Sequence, residues 1–402
     1  MSQIPRTIAV ITTSRADYSH LYWPLKALEQ ESSIDLRLIA LGAHLAPTFG
    51  NTIDQIAADG FKVDASVECL INSDSDIGMA KTIGVAVQSL ADLLGQMRPD
   101  LLLLIADRYE MLAPAAVALA LRIPIAHIEG GEISEGAIDH AVRNALTMMS
   151  HVHLTPTQEA AIRVAGMGEE SWRIHCVGAP SLDHLRYSHI PDQEELNSLL
   201  GWKIGMPPCV VAYHPVTMAR NTTREADAVF NALEKIDRPI VFCFPNSDAG
   251  SHEIIDRAQQ FCNHQTNRHV HINLAPTTYW ALLREASFMF GNSSSGIMEA
   301  ASLELPVVNI GIRQQGRLRA LNVVDAEPEV EAITAAINKV TDSTFRASLK
   351  GMENPYGDGR AAERIARILS EVELSDQLLI KRASANDEMP RIKSEFAQVN
   401  HG

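Results

Sequence analysis

Short aliphatic runs alternate with amphipathic segments along almost the whole chain, and nothing else in the sequence restricts the fold as much. TIAVITT (7–13), DLRLIALG (35–42), DLLLLIA (100–106), IPIAHIE (123–129), HVHLTP (151–156) and WRIHCVG (172–178) read as strands, with helical spacing in LYWPLKALEQ and TIGVAVQSLADLLGQM between them. Strands this rich in aliphatics, separated by helices, build βαβ units around a parallel sheet covered on both faces. Residues 179–208 then turn polar, carry several prolines and offer no strand. The alternation restarts in CVVAYHP (209–215), RPIVFCFP (238–245), HVHIN (269–273), FMFGN (288–292) and PVVNIG (306–311). The expected fold class is α/β, with two doubly wound, Rossmann-like domains facing a cleft. The expected boundaries are 1–180 and 181–372, followed by a polar tail over 373–402.

Charge and cysteine content narrow the function classes. A net charge of −15 weighs against non-specific nucleic-acid binding and against adhesion to anionic membranes, so no nucleic acid and no membrane partner is expected. An anionic small molecule would need a local basic patch in that repelling field. The five cysteines, Cys69, Cys176, Cys209, Cys243 and Cys262, are odd in number and widely spaced. They suggest neither a disulfide framework nor a cysteine zinc site, and the expected location is cytoplasmic. MSQIPRTIAVITT has too short an apolar run for a signal peptide. LLLLIA (101–106) runs into Asp107, Arg108 and Glu110, which makes it a strand rather than a membrane helix.

Ligands of doubly wound sheets bind outside the carboxyl ends of the strands. Here those ends are polar at every turn: Ser14-Arg15 after 7–13, His44 after 35–42, Asp107-Arg108 after 100–106, Glu129 and Glu132 after 123–128, His214 after 209–213, Asn246 after 238–244 and Arg313 after 306–310. Any one of these residues could simply reach water; all of them together are better explained by a site.

The strongest local signal is FGNSSSGIMEAASLELPVVNIG (290–311). A strand enters a Gly-Asn-Ser-Ser-Ser-Gly turn that opens a helix. Small residues let backbone N–H groups converge, and the helix start adds positive potential, which together suit a phosphate. Ser293 and Ser294 add hydroxyl donors, and Glu299, about one turn on, is placed to accept from a ribose diol. One serine is explained by an N-cap alone. Arg313, with Arg15 across the cleft, supplies forked donors for a pyrophosphate. Arg317 and Arg319 read equally well as a solvated face or an interdomain pair.

The other side of the cleft carries carboxylates. AHIEGGEISEGAIDHAVRN (126–144) runs from a buried strand straight into Glu129 and Glu132, with Asp139 in the first turn of the next helix. Carboxylates at the end of a buried strand are costly unless used. Arg143, four residues beyond Asp139, offers a helical ion pair as the structural alternative. With Asp107 on the neighbouring strand end, these groups raise one another's pKa values and can separate into an acid and a base. Metal binding is the rival use, but no histidine partners them well: the HVH pairs at 151–153 and 269–271 alternate within strands. No metal and no cofactor is expected.

At this point the sequence resembles the hydrolysing UDP-N-acetylglucosamine 2-epimerases, which make N-acetylmannosamine for sialic acid synthesis. The likeness runs from about 5 to 370 and rests on SRADYSHLYWPLKAL, ADRYEML, HIEGGEISEGAIDHAVRNAL, HPVT, FPNSDAG, GNSSSGIMEA and GIRQQGR in that order. It implies the two-lobed, GT-B-like fold of nucleotide-sugar glycosyltransferases, with a final helix crossing back to the first lobe, and a dimer or tetramer. It implies diphosphate contacts from Arg15, Ser293, Ser294 and Arg313, a ribose contact from Glu299, and Asn246 near the nucleotide. It makes Asp107, Glu129 and Asp139 the acid/base carboxylates and His214 the histidine by the leaving phosphate. Ser19, His44, Arg108 and Glu132 complete the expected substrate contacts. The chain departs from the family in Arg143-Asn144, where Arg-His is usual, and in Ala106-Asp107-Arg108, where Gly-Asp-Arg is usual; the second change is expected to matter little. The implied reaction turns UDP-N-acetylglucosamine and water into N-acetylmannosamine and UDP. Rival readings are the same reaction on UDP-2,4-diacetamido-2,4,6-trideoxyglucose, used for legionaminic-type acids, a non-hydrolysing epimerase, a glycosyltransferase, and a non-catalytic nucleotide-sugar sensor.

Overall fold

The computed structural model describes residues 5–382 apart from 48–49, 72, 74, 136–137, 216–224 and 245–250. The chain folds as two parallel sheets. The first has seven strands, β1 (Arg6–Thr12), β2 (Ile34–Leu41), β3 (Val63–Val67), β4 (Leu101–Ile105), β5 (Ile125–Ile128), β6 (Val152–Thr155) and β7 (Ile174–Cys176), in the order β3-β2-β1-β4-β5-β6-β7. The second has six, β8 (Cys209–Ala212), β9 (Ile240–Phe244), β10 (Arg268–Ile272), β11 (Phe288–Gly291), β12 (Val307–Ile310) and β13 (Val323–Ala326), in the order β10-β9-β8-β11-β12-β13. In each sheet the strand order reverses once, between β1 and β4 and between β8 and β11, and those are the positions where a ligand crevice opens.

Burial explains why the strands read so clearly. All five residues of β4, LLLLI, are buried, because helices cover both faces of the sheet. In the second lobe the period of two separates two cores. Cys209, Val211, Phe242, Phe290 and Val308 face the helices Ala226–Leu233 and Val330–Thr341, while Val210, Val241, Met289 and Val307 face Gln193–Leu200 and Pro276–Glu285. The helix Asp76–Met97 is long and apolar enough to cross a membrane by length and composition. Its Ala86, Leu90 and Leu94 belong to the core of the first lobe. The two strands absent from the sequence reading, β3 (VDASV) and β13 (VVDA), are edge strands that keep a polar side and lack a continuous aliphatic run.

The last described helices pack on the first lobe. The helix Ala361–Glu371 packs on the helix Arg15–Gln30 and places Ala361, Ile365 and Leu369 in the first core. Asp183, in the connection, accepts from the backbone N–H groups of Ala361 (3.0 Å) and Ala362 (2.7 Å) at the start of that helix. The stretch 373–382, which falls in the expected polar tail, is packed on this lobe. Leu378 of the short helix Asp376–Leu379 is buried, and Arg173 donates to the carbonyls of Gln377, Leu378 and Ile380. Backbone acceptors presented to a buried arginine hold this segment, which its side chains alone did not announce.

Two glycines are required by close approach. A Cβ on Gly291 would lie 2.1 Å from the carbonyl oxygen of Ala212 on β8, at φ 137°. One on Gly131 would lie 2.4 Å from that of Ala160. Elsewhere the backbone turns sharply without glycine: Ala106 after β4 and Glu129 after β5 take φ values of 56° and 65°. At Ala106 the left-handed backbone costs an L-residue roughly 1–2 kcal/mol. Ala106→Gly should stabilise the protein by about 0.5–1 kcal/mol, the strain relieved less the extra freedom of glycine in the unfolded chain. Urea unfolding checks this, with an increased midpoint expected.

Candidate active site

The first lobe supplies one wall of the cleft from three consecutive turns. After β1, Asp17 accepts from the backbone N–H groups of Thr13 (2.7 Å) and Ser14 (2.8 Å) and from both hydroxyls, which fixes the turn that aims Arg15 and His20. After β4, Asp107 ion-pairs with Arg143. After β5, the Oε1 of Glu129 meets the Nδ1 of His20 at 2.8 Å. Asp139 begins the helix Asp139–Met149 and lines the same cavity. Arg143 is 2% exposed, and Asp107, Glu132, Glu129 and Asp139 together outweigh the burial that disfavours its charge. Burial would push the Glu129 carboxyl up, but His20, Arg143 and Arg317 hold it below the usual range.

The second lobe supplies the other wall. Ser293 caps the helix Ser294–Met298, and Asn292 fixes the turn by accepting from the His214 N–H (2.7 Å) and donating to the His214 carbonyl (2.9 Å). This exchange between the Asn292 side chain and the His214 backbone, at the ends of β11 and β8, places His214 beside the serines. Arg313 and Gln314 donate to the Asn292 carbonyl at 3.1 and 2.8 Å, which turns both side chains toward the same wall. Tyr279 shares a hydrogen bond with Ser295 (2.8 Å). Burial raises the Glu299 pKa, with Glu129 adding to the effect and His20 and Ser181 opposing it.

Two connected chambers result, of about 870 and 960 Å³ counted to their open mouths. The first is largely apolar and holds Arg15, Ser19, Phe244, Leu274, Pro276, Tyr279, the three serines and Glu299. The second is polar and holds Asp107, Arg108, Glu129, Asp139, Arg143, His214, Ser293, Ser294, Arg313 and Arg317. Ala16, His20, Ser293 and Ser294 line both, so the serine turn stands at the junction. Among the described residues no cluster of three or more His, Cys, Asp or Glu side chains could hold a metal ion.

Most of the residues singled out from the sequence meet here, with exceptions. His44 is fully buried behind the end of β2, between the hydroxyls of Thr12 (2.9 Å) and Thr52 (2.7 Å), and lines neither chamber. Glu132 also lies outside both. It receives the Tyr356 hydroxyl at 3.3 Å and stands within 3.5–3.9 Å of Arg163 and Arg317, so it fastens the lobes together. In both cases the strand-end rule found the right edge of the sheet, but the side chain turns inward. Arg15 reaches across the cleft to the carbonyls of Asn273 and Leu274. Arg317 donates to the Ile133 carbonyl (2.8 Å) and the Ser134 hydroxyl (3.1 Å), which is the interdomain alternative. Arg319 pairs with Asp325 away from the cleft. Arg143, for which the helical spacing offered Asp139, makes its ion pair with Asp107 of the neighbouring strand end, and Asp139 also favours its charge. Asn246 lies outside the described residues. Asn144 donates to His140 (3.2 Å) and lines neither chamber. His20, Asp17 and Gln314 were not picked out beforehand; adjacency to the RADY and GIRQQGR motifs was the only signal they carried.

Comparison with known proteins agrees with this architecture. A family profile described as UDP-N-acetylglucosamine 2-epimerase matches residues 26–370. The chain is 34% identical over 377 residues to the UDP-N,N'-diacetylbacillosamine 2-epimerase (hydrolyzing) of Legionella pneumophila, covering 94% of this chain and 98% of that one. It is 30% identical over 384 residues to the UDP-N-acetylglucosamine 2-epimerase of Neisseria meningitidis serogroup B, covering 92% and 96%. Among solved structures, S. aureus MnaA with UDP matches with a TM-score of 0.76 at 18% identity over 90% of this chain and 96% of that one, a likeness of fold. The chain belongs to the UDP-N-acetylglucosamine 2-epimerase family.

Arg143 is the most exacting residue of the site. Arg143→Met keeps much of the volume but leaves buried carboxylates unpaired, and should cost about 3–5 kcal/mol of stability. Denaturant unfolding at neutral pH measures it, and a change within about 0.5 kcal/mol would mean the carboxylates do not depend on this cation.

Proposed function

We propose that the protein is a hydrolysing 2-epimerase that converts a UDP-linked 2-acetamido sugar and water into the free 2-epimer and UDP. The observation that carries this reading is the meeting of Asp107, Glu129 and Asp139, from three separate turns, on one wall of a chamber whose opposite wall is the serine turn with Arg313 and His214. On this reading UDP lies along the serine turn, its ribose toward Glu299 and its diphosphate between the serines and Arg313, with Arg15 at the first chamber.

The chemistry follows from that placement. The C2 proton of an acetamido sugar is not acidic in the ground state. As the C1–O bond breaks, its electron pair leaves with UDP and the C2–H bond weakens. A carboxylate accepts the C2 proton, and the former C–H pair becomes the C1=C2 bond of a glycal. Donors pre-aimed at the β-phosphate favour this step most when the charge is fully on UDP. A proton then returns to C2 from the opposite face while water supplies hydroxide to C1. Elimination and hydration thus each use an acid/base group in a different protonation state.

The sugar is placed first as the 2,4-diacetamido-2,4,6-trideoxy type, on the strength of the 34%-identical Legionella relative. UDP-N-acetylglucosamine, giving N-acetylmannosamine, is the second reading, supported by the 30%-identical Neisseria relative. Incubation with each nucleotide sugar in heavy water separates them: the true substrate releases UDP and a free sugar carrying deuterium at C2. Asp107→Asn and Glu129→Gln should be about 10²–10⁴-fold slower while still binding UDP by calorimetry. A product without deuterium at C2 would exclude the elimination route, and full activity in both variants would move the chemistry elsewhere.

A further inference from the structure

His20 is a residue that the proposed reaction leaves without a role. It lies on the cleft face of the helix Arg15–Gln30 and lines both chambers. We infer that His20 is the positioning residue for proton abstraction, its ring hydrogen-bonded to one oxygen of Glu129 so that the other is held toward the sugar. The inference rests on the reading of the cleft as a 2-epimerase site.

Three observations support it. The Nδ1–Oε1 contact is 2.8 Å, and among the described residues it is the one side-chain hydrogen bond of the Glu129 carboxylate, so Oε2 is left for a ligand. Glu129 is held in a left-handed backbone conformation at φ 65°, a cost that recurs at functional sites and aims the side chain into the cavity. The pair also sits where the charges of both walls meet. Arg143 and Arg317 face Glu129; Glu299 from the second lobe and Asp17 from the same helix face His20; Asp107 and Asp139 crowd Arg143. His184, the neighbouring ring, is driven down to about 4 by burial and stays neutral. Burial opposes charge on His20, but Glu129, then Glu299 and Asp17, hold its pKa at about 9.

The consequences have a definite sign. From neutral pH up to about 9 the imidazolium stays charged and keeps Glu129 a carboxylate, ready to accept the C2 proton. Above that pH the charge is lost and the contact weakens. Removing His20 leaves burial to raise Glu129, so the acid limb of the rate profile should move upward.

The test uses the full-length enzyme and whichever UDP sugar the wild type turns over. His20→Leu should lower kcat about 10²-fold, with KM and the UDP dissociation constant within about 3-fold, and shift the acid limb upward by about one pH unit. His20→Asn, which restores a donor near the Nδ1 position without the charge, should regain about 10-fold in kcat but keep the shifted limb. If His20→Leu does not fold, the limb of His20→Asn decides. An unshifted limb, or a loss confined to KM, overturns the proposal. An independent readout is the nitrogen NMR titration of the His20 ring, expected near pH 9 and falling by at least about one unit in Glu129→Gln. A wild-type ring titrating near its ordinary value overturns the pairing even if neither sugar is a substrate, in which case the functional reading fails separately.

Discussion

Arg143, 2% exposed, carries the positive charge that Asp107, Glu129, Glu132 and Asp139 have in common. Four carboxylates at the ends of two buried strands and the start of a helix would repel one another and be neutralised by burial. A single guanidinium on the intervening helix removes most of that penalty. It makes an ion pair with Asp107 and a hydrogen bond to Ser134, and it helps hold Glu129 ionised. The orientation of the helix Asp139–Met149 against β4 and β5 is thereby tied to the charge state of the cleft, and packing and electrostatics are satisfied by the same side chain.

The two lobes depend on a second set of contacts at the same edge. Arg317 from the second lobe reaches the Ile133 carbonyl and Ser134 hydroxyl of the first, Tyr356 reaches Glu132, and Arg15 reaches back to the Asn273 and Leu274 carbonyls. Gly316 permits the approach: a Cβ there would lie 2.5 Å from the Ile133 side chain. The helix Ala361–Glu371, buried in the first core, then tethers the end of the second lobe to the beginning of the chain.

Reading the chain for strand ends located this cleft because ligands of a doubly wound sheet bind outside the carboxyl ends of its strands. With the serine turn and the helix start after β5, it picked out Asp107, Glu129, Asp139, His214, Ser293, Ser294 and Arg313, which line one cavity. The same rule overreached at His44 and Glu132, since a strand end fixes which edge a residue occupies but not whether its side chain turns outward. It passed over His20, which in sequence is one more position on an amphipathic helix. For Arg143 it offered only the i−4 neighbour as an alternative partner, because spacing reports contacts within a helix and is silent about what the next strand delivers.

The sequence by itself determined the local rules: aliphatic runs that must be buried on both faces and a serine turn opening a helix. These depend on neighbours a few residues away, or on a period, and a linear text records both. Tertiary structure alone decided that Asp107 pairs with Arg143, that Glu129 meets His20, 109 residues earlier, and that Arg173 fixes carbonyls some 205 residues later. Those choices follow from strand order and from burial, which makes a charged group take the nearest opposite charge in space rather than in sequence.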